Sequence, residues 1–139
     1  MNSFLVLLGH SSADVAVETD PDAVVVRQAL LLALHAGANA PREEETRAGW
    51  DRFTATLAEA DRELQAGLRD PVGLVEANVP PLDPVDEDGE PLRSNVVALT
   101  RQLSDLFDAA AVAGQGSPWR LIVWAKVAEC LSDAADELA

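Results

Sequence analysis

The sequence predicts an all-α protein, a four-helix bundle with a long acidic, proline-rich crossover between helices 2 and 3 and a short N-terminal element. Three observations lead to this fold class. Apolar residues recur in steps of three and four along four segments. Helix-starting and helix-stopping residues flank those segments. The chain is 48% apolar but only 4% aromatic, a composition that favours closely packed helices. At this length, we expect residues 1–139 to form a single helical domain.

The N-terminal element fits two structures. Residues 1–19 read either as a short helix that ends at Gly9 or as a β-hairpin that pairs residues 5–8 with residues 15–17. A two-stranded ribbon is marginally stable in water unless it packs on something else. The helix is therefore the favoured interpretation, with the hairpin as its alternative.

The first strong helix is predicted over residues 22–38 and the second over residues 41–68. Asp20 and Pro21 suit the N-cap and first position of the first helix, and Gly37 suits its end. In the second helix, residues 43–45 are all Glu and would lie in the first turns, where the helix dipole favours anions. Its apolar stripe predicts an amphipathic surface helix and consists of Trp50, Phe53, Leu57, Ala60, Leu64, Gly67 and Leu68.

The last two helices are predicted over residues 95–113 and from the Ser117-Pro118 pair onward. Ser94 is the expected cap of the third helix, and Gly114 its stop. The fourth helix carries a broad apolar surface, because a second set of residues widens its main stripe: Val123, Val127, Cys130 and Ala134. We expect it to be buried on two sides. The short connector makes these two helices antiparallel neighbours.

The predicted crossover spans residues 70–92 and carries five of the 8 prolines, many acids and no base. Residues 80–84 should be extended because of their prolines, and residues 86–90 read as an exposed turn. An EF-hand calcium loop is excluded, since Pro84 and Pro91 break the required register. A solvated acidic loop remains.

The net charge of −14, from 24 acids and 10 bases, disfavours nucleic acids and anionic membranes as partners. The favoured interpretation is that this charge maintains solubility. The alternative is that the acidic surface docks onto a basic protein or mimics nucleic acid. No apolar run reaches the length needed to span a bilayer. With one cysteine and no recognisable signal peptide, a cytoplasmic location is expected.

No catalytic, metal or cofactor site is predicted. His10 and His35 lie far apart in the sequence, and two ligands such as His10 and Asp14 do not make a metal site. Cys130 falls on an apolar helix face, where a thiol usually acts as a small hydrophobe. Phosphate-binding motifs are absent from the sequence.

The resulting functional hypothesis is a non-enzymatic adaptor, regulator or inhibitor- or immunity-type accessory protein that docks an acidic surface on another protein. All three Trp are expected to belong to the core, and the alternative is that Trp119, near the start of the last helix, is an exposed apolar anchor of this surface. The predicted partner-binding acids are Asp83, Asp86, Glu87, Asp88 and Glu90, with residues 43–45 in support. Two alternatives remain. One is a ligand-binding or enzymatic pocket near Arg27, His35 and Trp124, and the other is a homo-oligomer formed through the broad apolar face of the last predicted helix.

Overall fold

The computed structural model describes residues 3–40, 44–66, 89–114 and 116–139. Within these ranges the secondary structure is helical, with no strand, which confirms the predicted all-α class. The described residues form five helices in chain order: α1 (Ser3–Ala16), α2 (Val24–Asn39), α3 (Arg47–Ala66), α4 (Gly89–Ala113) and α5 (Pro118–Leu138). No helix in the described ranges is both long and apolar enough to cross a bilayer.

Helix α5 makes the most extensive packing contacts in the fold, one side against α4 and another against α3. The Ser104 hydroxyl of α4 donates a buried hydrogen bond to the Ala128 carbonyl of α5 over 2.8 Å. Nearer the other end of the pair, Arg101 bridges Asp136 over 3.1 Å. Residue numbers rise along one helix as they fall along the other, so α4 and α5 are antiparallel, as predicted.

Helix α3 also runs antiparallel to α5. Arg52 bridges Glu137 over 2.7 Å, and Glu63 bridges Lys126 over 3.2 Å. The predicted stripe of α3 is confirmed from Trp50 to Leu64, because its five residues there are all buried. Its last two members, Gly67 and Leu68, lie outside the described residues. The prediction that the last helix is buried on two sides is also confirmed by its packing against both α3 and α4.

Helices α1 and α2 cover the remaining side of the core. Helix α1 contacts α2 and α4, and α2 contacts α3 and α4. Ser12 of α1 is tied to Gln102 of α4 by two hydrogen bonds, from the Ser12 hydroxyl to Oε1 over 2.5 Å and from Gln102 Nε2 to the Ser12 carbonyl over 3.2 Å. The N-terminal element is therefore a helix, and the hairpin alternative is wrong.

Three predicted boundaries in the first half of the chain are corrected. Helix α1 continues through Gly9 to Ala16, since Phe4, Leu8 and Val15 extend its buried stripe. Helix α2 begins at Val24, because Asp20 accepts the Asp22 N–H in a turn and does not cap the helix. It ends at Asn39, beyond Gly37.

The starts of α3 and α4 also differ from the prediction. Residues 44–46 form a turn, so Glu44 and Glu45 precede α3. Helix α4 begins at Gly89, not near Ser94, and takes in the end of the predicted acidic turn. Leu92 explains this extension, because it is fully buried and its burial draws one more turn into the helix. The rest of the predicted crossover lies outside the described residues.

Two glycines are explained by their surroundings. Gly114 ends α4 with a φ of 68°, the left-handed conformation predicted for a helix stop. Gly37 is buried where α2 meets α3, and a Cβ there would lie 2.5 Å from Thr54 Oγ1 and 3.4 Å from the Phe53 ring. Gly37 is thus a contact point between two helices and does not terminate α2.

Alanine substitutions at Gly9 and Gly37 should change stability in opposite directions. Both glycines are inside helices, where Ala is intrinsically better by about 1 kcal/mol. A Cβ at Gly9 meets nothing within 4 Å, so Gly9→Ala should raise the free energy of unfolding by up to about 1 kcal/mol. In Gly37→Ala the added methyl group would displace the Thr54 side chain, and such overpacking costs about 1–3 kcal/mol. Because this cost should exceed the gain in helix propensity, the free energy of unfolding should fall. Urea unfolding followed by circular dichroism measures both.

Each variant is the control for the other, because both replace a helical glycine with the same residue. Stabilisation by Gly37→Ala equal to that by Gly9→Ala would contradict the close approach of α2 and α3.

Candidate functional site

An exposed apolar pair lies at the start of α5. Ser117 caps this helix by accepting the Arg120 N–H, and Pro118 takes a first-turn position, as predicted. Trp119 and Ile122 follow one turn apart, and each is 63% exposed. Trp50 and Trp124 are buried, so the favoured prediction that all three Trp belong to the core is wrong at Trp119. A large exposed indole beside an exposed Ile is a common feature of binding surfaces.

Acidic residues of α4 lie on the same side of the molecule as Ile122. Asp105, Asp108 and Val112 are exposed at steps of three and four, so they share one face of α4 with Arg101. Glu129 and Ile122 share a face of α5 with Asp136 in the same way. The Arg101–Asp136 bridge joins these two faces. We call the combined surface the acidic α4–α5 face: Asp105, Asp108, Val112, Trp119, Ile122 and Glu129.

A cleft of about 550 Å³ lies on another side of α4. One wall is the second half of α4, with Leu106, Ala109, Ala110 and Ala113. Trp124 of α5 supplies an aromatic wall, and the turn between α1 and α2 forms the rim with Glu18, Thr19, Asp20 and Pro21. Its volume falls within the range of small-molecule sites in proteins.

An ion pair and a ring contact hold the α5 side of this region. The Arg120 guanidinium lies over the Trp124 ring, 5.6 Å from its centroid, and bridges the Asp22 carboxylate. Burial raises the pKa of Asp22, an effect that the Arg120 charge opposes and the nearby Asp20 charge reinforces. Arg120 therefore links the turn before α2 to the start of α5, and its positive charge is neutralised there.

The predicted partner-binding acids fall mostly outside the described ranges. Asp83, Asp86, Glu87 and Asp88 are all among residues 67–88, which the structure does not describe. Glu90 is exposed in the first turn of α4, and its carboxylate accepts two hydrogen bonds from Arg93, over 2.7 and 2.8 Å. Of residues 43–45, Glu44 and Glu45 are described and exposed.

The three residues of the alternative pocket, Arg27, His35 and Trp124, have different surroundings. Trp124 lines the cleft, whereas Arg27 and His35 do not. Arg27 bridges Asp61 of α3, and each side chain is only 15% exposed. His35 packs beside Phe4, with ring centroids 5.9 Å apart, and its Nδ1 lies 3.4 Å from the Asn39 amide. Both residues occupy contacts between structural elements.

Metal-binding and nucleophilic chemistry find little support in the described ranges. No group of three or more His, Cys, Asp or Glu side chains there could hold a metal ion. Cys130 is partly buried. Burial raises the pKa of its thiol, and four surrounding carboxylates raise it further: Glu59, Glu63, Asp133 and Glu129. A thiol that resists ionisation is a poor nucleophile.

Sequence reasoning overlooked two parts of these surfaces. In the last helix, Ile122 belongs neither to the main apolar stripe nor to the second set of apolar residues that widens it. Its position outside both sets indicated that its side chain faces outward. The acids Glu18 and Asp20 gave no comparable signal, because only the fold brings the turn between α1 and α2 up to α4.

Removal of Arg27 should destabilise the fold more than removal of the whole ion pair. Arg27→Met leaves the mostly buried Asp61 carboxylate with Gln65 of its own helix, whose amide donates over 2.7 Å. We expect a loss of about 2–3 kcal/mol, below the 3–5 kcal/mol typical of a fully buried pair. The double variant Arg27→Met/Asp61→Leu should recover part of that loss. Chemical denaturation measures all three proteins, and a double variant less stable than Arg27→Met would contradict this account.

Alkylation of Cys130 by iodoacetamide should be slow in the folded protein. A raised pKa means that less thiolate exists at any given pH, so the rate at about pH 8 should be lower than in the unfolded chain. The rate in the folded state should keep rising with pH after that of the unfolded chain has levelled off. Mass spectrometry with and without guanidinium chloride gives both rates. Faster labelling of the folded protein would indicate an activated nucleophile.

Comparison of the chain with protein-family models, with curated proteins and with solved structures found no match.

Proposed function

We propose that this protein is a non-enzymatic interaction module that docks its acidic α4–α5 face onto a basic surface of another protein. The observation that carries the proposal is the pair Trp119 and Ile122, each 63% exposed on adjacent turns of α5. Such a module acts as an adaptor, regulator or inhibitor by occupying its partner's surface.

The apolar pair supplies the expected anchor. Large apolar side chains are costly to leave in water, and Trp is enriched among the residues that dominate binding energy at interfaces. The antiparallel arrangement brings the exposed Val112 at the end of α4 to the same end of the molecule. A partner that covered these side chains would remove a substantial apolar area from water.

The charges around this pair favour a basic partner. Arg101 is already bridged to Asp136, and Lys126 to Glu63. These cations are therefore partly neutralised within the chain, while Asp105, Asp108 and Glu129 are exposed nearby. Complementary charge across an interface speeds association and suppresses wrong partners.

The proposal extends to the remaining predictions about the chain. We propose that α2 to α5 form the predicted four-helix bundle, with α1 packed across it and residues 67–88 as an acidic crossover. The acids Asp83, Asp86, Glu87 and Asp88 would add negative charge to the docking surface. The expected location in the cytoplasm is also part of this proposal.

Quantitative affinity capture from a lysate of the source cells tests the docking face. The tagged protein should retain a stoichiometric basic protein at low salt and release it as salt is raised. The double variant Trp119→Ser/Ile122→Ser should retain at least about tenfold less, since anchors of this kind contribute about 2 kcal/mol or more. Asp105→Asn/Asp108→Asn should weaken the salt dependence.

Val17→Ser is the control, because Val17 is a large apolar residue that is 85% exposed just after α1 and is not part of the acidic α4–α5 face. It should capture as much partner as the unchanged protein. Equal capture by the Trp119/Ile122 variant, or capture of no stoichiometric partner, would overturn the proposal. Light scattering that showed a dimer broken by the same variant would assign the face to a second copy of this chain instead.

A further inference from the structure

We infer that the cleft bounded by α4, Trp124 and the turn between α1 and α2 binds a small organic cation with an apolar body, such as an arylalkylammonium ion. This site is separate from the acidic α4–α5 face. Trp119 and Ile122 do not line it, so either surface can bind without the other.

The cleft walls would accommodate the apolar body of such a ligand. Its α4 wall consists mainly of alanines, and these short side chains leave the space beside the buried Leu106 open. The Trp124 indole faces them from α5. Pro21, also buried, closes the wall at the rim. A mostly apolar cavity with a few oriented polar groups is the usual form of a small-molecule site.

The rim carboxylates give the cleft its charge, and backbone hydrogen bonds hold them in place. Glu18 Oε2 accepts the N–H groups of Thr19 and Asp20, over 2.9 and 3.2 Å. Asp20 Oδ1 accepts the Asp22 N–H over 2.9 Å. Within the described residues, the second oxygen of each carboxylate accepts no hydrogen bond. Two oriented carboxylates with acceptor capacity to spare match an ammonium donor.

The sign of the charge excludes other occupants. Arg120, which lies over the Trp124 ring, is bridged to Asp22 and so offers little to an anion. Residues 67–88 are rich in acids, so the negative rim formed by Glu18 and Asp20 disfavours this segment of the chain as the occupant of the cleft. A single ammonium group has enough N–H donors to bind both the Glu18 and the Asp20 carboxylate at the rim. The cleft volume of about 550 Å³ accommodates an aromatic ring with a short alkyl chain.

Titration with three compounds of one shape tests the inference: 4-phenylbutylammonium, 4-phenylbutanol and 4-phenylbutanoate. The readouts are isothermal titration calorimetry and the indole N–H resonances in ¹H–¹⁵N spectra, with Trp124 assigned through Trp124→Phe. The cation should bind most tightly and the anion most weakly, and the Trp124 resonance should shift upon binding. Glu18→Gln/Asp20→Asn should weaken the cation about tenfold but leave the alcohol unchanged.

The amide oxygens of this double variant can still accept the backbone N–H groups, so the turn should keep its form. Glu129→Gln/Asp133→Asn is the matched control, since it removes the same charge from exposed positions on α5 and should leave binding unchanged. Ala109→Leu, at an exposed position of the wall, should weaken all three compounds by filling the cleft.

Three results would overturn the inference: no Trp124 shift at millimolar cation, equal binding of the anion, or an equal loss in the control variant. Because Trp119→Ser/Ile122→Ser should leave these titrations unchanged, failure here is distinguishable from failure of the docking proposal.

Discussion

Burial of two sides of α5 is the constraint on which the rest of the structure depends. This helix carries apolar residues over so wide an arc that one neighbouring helix cannot cover them, and α4 and α3 take one side each. The buried hydrogen bond from Ser104 to the Ala128 carbonyl fixes the level at which α4 lies. Helices α1 and α2 then cover what α3 and α4 leave open. The exposed remainder of α5, with Trp119 and Ile122, becomes available to a partner.

The charges follow from this packing. Ion pairs such as Arg52–Glu137, Glu63–Lys126 and Arg101–Asp136 lie across the contacts that α5 makes with its neighbours. Arg52, Arg101 and Lys126 are thus engaged between helices, while acids remain exposed on the acidic α4–α5 face. The protein would therefore present itself to a partner as a negative surface with a small apolar centre. Complementary charge favours rapid association, and the apolar centre favours slow release.

The first residues of α5 and the last residues of α4 contribute side chains to both proposed surfaces. One side of this region carries Trp119, Ile122 and Val112, and another carries the cleft beside Trp124. In the sequence, Arg120 lies between Trp119 of the first surface and Trp124 of the cleft. Its ion pair with Asp22 links α5 to the turn before α2. Both proposed surfaces therefore lie where two antiparallel helices meet a short connector, away from the strongly packed middle.

The sequence by itself determined the helical class, the stripe of α3, the cap at Ser117, the stop at Gly114 and the two-sided burial of α5, because these depend on side-chain periodicity and local backbone chemistry. Only the tertiary structure decided where α2 and α4 begin, why Gly37 is small and which acids border the cleft. Those features depend on residues distant in sequence: Leu92 enters a core made by other helices, Gly37 meets Thr54, and Glu18 reaches α4. Local patterns carry no information about such contacts.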